Sequence, residues 1–169
     1  MDGVVLAAGE GTRLRPLTAN RPKALVSVAD QPLLSHAFDA LLSVGVDRIV
    51  VVVGYRGDDI VARYGDSYRG TPVEYVDQAE QLGTAHALAQ AIPAVEAPFV
   101  VMNGDNVCRA NLGAVVERHR ETGAAATLLV ESVSRERART TGVVETDGDG
   151  RVTGLVEKPD DPPSTLVNR

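Results

Sequence analysis

An unbroken apolar pentad, Val4 to Ala8, runs directly into Gly9-Glu10-Gly11-Thr12-Arg13, and this junction constrains the chain more than any other stretch. The pentad predicts a buried strand, since short continuous apolar runs bounded by turn residues suit a sheet covered on both faces. The two glycines free the backbone for a tight turn whose amides can face an anion. Arg13, Arg15, Arg21 and Lys23 follow within eleven positions. A glycine turn at a strand end, backed by clustered cations, fits a phosphate-rich ligand better than a purely structural bend.

Two familiar glycine motifs do not fit. The dinucleotide fingerprint needs a third glycine where this chain has Leu14, because a bulky side chain there holds the next helix off the strand. The P-loop needs four residues between its glycines and then Gly-Lys-Ser/Thr, whereas one residue separates Gly9 from Gly11. Pro16 and Pro22 argue against a long helix after the turn, so residues 13–22 are expected to form an ordered loop over the ligand.

Downstream, apolar strands alternate with amphipathic helices. Residues 32–44 read as a helix with Leu34, Phe38 and Leu41 on one face and Gly45 at its C-terminal cap. Strands are expected at 48–53, 72–76, 99–102 and 124–130, and helices at 57–64, 84–91 and 111–122, the last capped by Asn111. Residues 134–139 read as a charged, exposed connection without a role. The strands 142–146 and 151–157 flank Asp147-Gly148-Asp149-Gly150, a strong hairpin signal. The pattern predicts an α/β fold, a Rossmann-like doubly wound, mostly parallel sheet with a β-hairpin near the C-terminus, in one domain over 1–169.

Composition narrows the function. The single cysteine, Cys108, excludes an internal disulfide framework and reads as a small buried residue; His36, His86 and His119 have no zinc spacing. His36 reads as a core histidine. A net charge of −6 argues against nucleic-acid and membrane-surface partners, and no run of eighteen apolar residues suggests a span. Met1-Asp2-Gly3 lacks a signal-peptide layout, so a cytoplasmic location is expected. Of 17 basic residues only Lys23 and Lys158 are lysine, and both fall in candidate motifs. A compact ammonium follows a moving phosphate oxygen better than a planar fork; arginine bias with acidic excess also fits a GC-rich genome or a salt-adapted host.

Two further stretches carry chemistry. In DQAEQLGTAHAL, Gln78 or Gln81 can pair with a base edge through an amide that both donates and accepts, and Gly83-Thr84 opens a helix with free amides. At Asn103-Gly104-Asp105-Asn106 a carboxylate follows an apolar strand, at the strand end where such sheets bind ligands. Asp105 is the candidate metal ligand, for Mg²⁺, which commonly takes one or two carboxylates plus phosphate oxygens.

The string LAAGEGTRLRPLT with RPKAL resembles the signature of the sugar-1-phosphate nucleotidylyltransferases, and the resemblance continues through QAEQLGTAHAL, NGDN and VEKP. It implies transfer of a nucleotidyl group from an NTP, UTP or dTTP favoured, to a sugar 1-phosphate, with release of pyrophosphate. It implies catalytic roles for Arg13, Lys23 and Asp105, and nucleotide contacts from Ala7, Ala8, Gly9, Gly11, Thr12, Gln78, Gly83 and Thr84. It assigns the sugar phosphate to Gly142, Glu157, Lys158 and Asn168. Related domains continue beyond the point where this chain stops, so it is expected to be truncated at its C-terminus. A catalytically incompetent nucleotide or NDP-sugar binding module is the alternative, and a nicotinamide-linked oxidoreductase is disfavoured by Leu14. Base, sugar and any homo-oligomeric state are not legible.

Overall fold

The computed structural model describes residues 1–168, which divide into two compact units, Met1–Gly113 and a second from Ala114 onward. In chain order the first unit holds β1 (Asp2–Leu6), 3-10 turns at Thr12–Leu14 and Lys23–Leu25, and the small hairpin β2 (Ser27–Val28) and β3 (Gln31–Pro32). There follow α1 (Leu33–Leu42), β4 (Arg48–Val53), α2 (Gly57–Tyr64), β5 (Ser67–Tyr68), β6 (Thr71–Asp77), α3 (Thr84–Ala91) and β7 (Phe99–Asn103).

Five of these strands form one sheet in the order β5-β6-β4-β1-β7, parallel except for the short edge strand β5, while β2 and β3 pair only with each other. Alternate side chains along β1 point to opposite faces. At Gly3 the backbone is so near α1 that a Cβ would lie 2.8 Å from Leu41 Cδ1, while Val4 packs with Ala87 and Ala91 of α3. Helices therefore cover both faces, which is why Val4, Val5 and Val50 to Val52 are fully buried and why these strands read as continuous apolar runs. Each such side chain contributes about 1.5–3 kcal/mol of burial. Phe38 of α1 meets Tyr64 and Tyr68 edge-on, each at 5.0 Å between ring centroids, and fastens α1 to α2 and β5.

An ion-pair network marks the N-terminal end of the sheet. Arg48 donates to Asp2 at 2.8 Å, to Glu74 at 3.1 Å and to the Ala94 carbonyl at 2.8 Å, tying β1, β4 and β6 together. Its hydrogen bond holds the Asp2 carboxyl below the usual carboxylate range, against the opposing effect of burial.

The second unit holds most of α4 (Leu112–Thr122), then β8 (Val130–Ser132), α5 (Arg135–Ala138), β9 (Gly142–Thr146), β10 (Val152–Glu157) and β11 (Leu166–Asn168). Its four-stranded sheet has the order β10-β9-β11-β8, antiparallel throughout, around a small core of Ala138, Val143 and Val167.

The expected fold class holds, and the spans of β4, α2 and α3 coincide with the sequence reading. Five local expectations are corrected. Residues 124–129 are not a strand: they are mostly exposed, and pairing begins only at Val130, opposite Asn168. Residues 134–139 are not a plain connection but a short helix, because the Ser134 hydroxyl caps it by accepting from the Arg137 amide. The apolar pentad belongs to the strand only as far as Leu6, so Ala7 and Ala8 lie in the loop that follows; the Ala7 amide still donates to Val52 at 2.8 Å. His36 is half-buried rather than a core residue, its ring nitrogens bonded to Gln31 and the Val28 carbonyl across the β2–β3 hairpin, and Cys108 is likewise half-buried.

Candidate active site

The chain proceeds from β1 to β4 and β6 on one side, then crosses to β7 on the other side of β1. The loops leaving β1 and β7 thus diverge at the point where the strand order reverses, which is where open parallel sheets hold ligands. The first loop carries Gly9 to Lys23 and the second carries Gly104-Asp105. Gly104 sits so close to β1 that a Cβ there would lie 3.1 Å from Val5 Cγ1 and 3.2 Å from Ala7 Cβ; its amide donates to Leu6 at 2.9 Å. Glycine at this position lets the second loop lie against the first.

The glycine turn is held from beneath. Gly11 has φ 64°, the left-handed region, and a Cβ there would lie 2.7 Å from Lys23 Cβ and 3.2 Å from Thr18 Cγ2. Thr18, 2 % exposed, donates from Oγ1 to the Gly11 carbonyl at 2.8 Å. Gly9 and Thr12 are accessible and Arg13 is exposed, in the single 3-10 turn Thr12–Leu14. The packing of Gly11 on the Lys23 stem directs that lysine to the second loop, where Nζ meets Asp105 Oδ2 at 2.6 Å. Both side chains remain about one-third exposed, 31 % and 36 %. A cation and a carboxylate therefore face solvent together at the switch point. A groove of about 400 Å³ beside the loop is bordered by Arg21, Arg56 and Arg63, and Lys23 and Asp105 lie outside it.

Gln78 follows β6 directly and is 5 % exposed, whereas Gln81 is exposed. Its backbone amide donates to Val53 at 2.7 Å, and its side-chain nitrogen reaches the Gly83 carbonyl at 3.2 Å and His86 Nδ1 at 2.9 Å. Gly83, with φ 97°, starts α3 without a side-chain cap, so the first amides of that helix lack partners from a capping residue.

Within the second unit, the four residues assigned to the sugar phosphate come together. Gly142 pairs with Glu157 across β9 and β10, and a Cβ at Gly142 would lie 2.7 Å from Asn168 Oδ1 and 3.1 Å from Glu157 Oε2. Lys158 adjoins them with φ 46°; its amide donates to Thr141 at 3.1 Å and its Nζ lies 3.1 Å from Glu157 Oε1. A non-glycine residue costs about 1–2 kcal/mol in this region, so the surroundings must hold the backbone there.

Among the described residues, no group of three or more His, Cys, Asp or Glu side chains is placed to hold a metal ion. Asp105 supplies one hard oxygen donor set, which suits Mg²⁺ only where ligand phosphates complete its shell. The sequence reading does not single out Thr18, whose hydroxyl finds the Gly11 carbonyl only in the folded loop, and it takes His86 only as a histidine without zinc spacing.

A parallel sheet with a glycine turn and a lysine–aspartate pair at its switch point is the frame of a phosphate-handling α/β protein, and the chain belongs to the nucleotidyl transferase family, whose model matches residues 2–169. It is 49 % identical over 167 residues to UTP–glucose-1-phosphate uridylyltransferase AglF of Haloferax volcanii, covering 99 % of this chain and 69 % of that protein. It is 39 % identical to a glucose-1-phosphate thymidylyltransferase of Streptomyces griseus, over 99 % of this chain and 47 % of that protein. Among solved structures, a putative glucose-1-phosphate thymidylyltransferase from Bacillus anthracis matches with a TM-score of 0.90 at 28 % identity, over 99 % of this chain and 68 % of that one. The chain thus spans about two-thirds of the uridylyltransferase and about half of the thymidylyltransferase.

Proposed function

We propose that the chain carries the nucleotidyl-transfer chemistry that joins UTP or dTTP to a sugar 1-phosphate, with UTP and glucose 1-phosphate the first pair to test. The observation that carries this reading is the Lys23–Asp105 pair, 2.6 Å apart beside the Gly9–Thr12 turn at the ends of β1 and β7. In the reaction a phosphate oxygen of the sugar 1-phosphate forms a bond to the α-phosphorus, and the bond from that phosphorus to the bridging oxygen breaks as pyrophosphate leaves. The nucleophile is already ionised at neutral pH, so positioning and cations matter more than a general base.

In this reading the amides of Gly9, Gly11 and Thr12, with the backbone at Ala7 and Ala8, receive the triphosphate. Arg13 meets charge on the departing pyrophosphate, and Lys23 shifts from Asp105 to the reacting phosphates. Asp105 would hold Mg²⁺, which when bound supplies positive charge against the phosphate oxygens. Gln78, Gly83 and Thr84 take the base. Gly142, Glu157, Lys158 and Asn168 are our proposal for the sugar and its phosphate, supported by their grouping within the second unit. We place this chemistry in the cytoplasm, where NTPs are made; among the described residues no helix is long and apolar enough to cross a membrane.

Pyrophosphate release with Mg²⁺, across five NTPs and the 1-phosphates of glucose, N-acetylglucosamine and mannose, tests the reading. Turnover with UTP or dTTP supports it. Silence, with calorimetry still detecting UTP, would reduce the chain to a nucleotide-binding piece.

A further inference from the structure

Gln78 has two side-chain N–H groups and one carbonyl oxygen, and the structure commits both N–H groups inward. The Gly83 carbonyl can only accept, so the atom facing it at 3.2 Å must be the amide nitrogen. The same nitrogen meets His86 Nδ1 at 2.9 Å, which requires that Nδ1 carry no proton. The ring proton then sits on Nε2, 3.1 Å from the Gln90 amide, which must turn its oxygen toward the ring. His86 and Gln90 are one turn apart on α3, so the helix itself sets this relay. Among the described residues no group donates to Gln78 Oε1, and that oxygen is not sealed from solvent.

We propose that His86 is a positioning residue which, with the Gly83 carbonyl, locks the Gln78 amide so that only its oxygen is offered to the nucleobase, selecting bases with a ring imide N–H. This rests on the reading that Gln78 holds the base. Uracil and thymine present N3–H to such an oxygen, and guanine presents N1–H. Cytosine N3 and adenine N1 are acceptors, so each would face the oxygen lone pair to lone pair, with both groups desolvated and unpaired. Turning the amide over to accommodate cytosine breaks the hydrogen bond to the Gly83 carbonyl and forces His86 to move its ring proton to Nδ1, with the Gln90 amide turning in step. Without the acceptor at position 86 only the first cost remains.

The test is the ratio of the CTP to the UTP dissociation constant, measured by calorimetry on the full chain. The H86L variant, which keeps bulk but removes the acceptor, is expected to lower that ratio about tenfold, and H86N, whose amide oxygen can stand where Nδ1 stands, to restore it. An unchanged ratio in H86L, with collapse in Q78L, overturns the role of His86. An unchanged ratio in Q78L overturns the base assignment itself. Should H86L not fold, ¹⁵N spectra of the unaltered protein decide: the Nε2–H tautomer of His86 supports the lock, and the Nδ1–H tautomer contradicts it.

Discussion

Lys23 Nζ lies 2.6 Å from Asp105 Oδ2 although 82 positions separate the two residues, and the approach depends on glycines at 11 and 104 that hold the two loops close. Both side chains are about one-third exposed, so the pair is a weak source of stability. In the proposed reading its use lies in function. Lys23→Met and Asp105→Asn are each expected to lower turnover at least a hundredfold in an active enzyme while leaving the melting temperature almost unchanged, by analogy with removal of a preorganised charge-stabilising group. Near-normal kcat in either variant would remove that residue from the chemistry.

Gly11→Ala introduces a side chain where φ is 64° and where its Cβ would lie 2.7 Å from Lys23 Cβ. The left-handed backbone alone costs about 1–2 kcal/mol. Because the displaced atom belongs to Lys23, triphosphate binding is expected to weaken more than tenfold. Denaturant unfolding and UTP calorimetry read the two effects separately, and unaltered UTP affinity would show that the turn does not hold the triphosphate.

Thr18→Val keeps the shape of a buried side chain and removes its hydrogen bond to the Gly11 carbonyl. A loss of about 1–2 kcal/mol in stability is expected, with Thr18→Ser retaining most of the bond. If valine and serine unfold at equal denaturant concentrations, the hydroxyl does not support the loop.

Acid sensitivity follows from Asp2. Its folded-state pKa is lowered, first by the hydrogen bond from Arg48. A depressed carboxylate contributes stability that is fully present above its unfolded value, roughly pH 4, and is lost as pH falls through the lower folded value. Asp2→Asn is therefore expected to be less stable than the unaltered protein at pH 7, with the gap closing below about pH 4. A gap that stays constant from pH 7 to pH 3 contradicts the linkage.

In the second unit, Gly142→Ala places a methyl group 2.7 Å from Asn168 Oδ1 and 3.1 Å from Glu157 Oε2. If these residues take the sugar phosphate, its KM rises about tenfold or more while the UTP dissociation constant is unchanged. The opposite pattern, weaker UTP binding with an unaltered sugar-phosphate KM, reassigns the cluster.

The sequence carried the sheet well because its central strands are buried on both faces and read as apolar runs, and because α2 and α3 have clear starts at Gly57 and Thr84. It misread 124–130 because short alanine-rich chain has no pattern of its own; which residues pair is decided by β11, far along the sequence. The roles of Thr18 and His86 were not legible for a similar reason. Each acts through a partner, the Gly11 carbonyl or the Gln78 amide, whose position only the folded backbone defines. Asp105 was legible as a carboxylate after an apolar strand, but its pairing with Lys23 required the order β4-β1-β7.

The most direct measurement is pyrophosphate release from UTP and glucose 1-phosphate with Mg²⁺, run in parallel on the unaltered chain and on Asp105→Ala. Turnover that requires both substrates and falls at least a hundredfold in the variant is the expected result. Equal rates in the two proteins, or pyrophosphate release that ignores the sugar phosphate, would contradict nucleotidyl transfer centred on the Lys23–Asp105 pair.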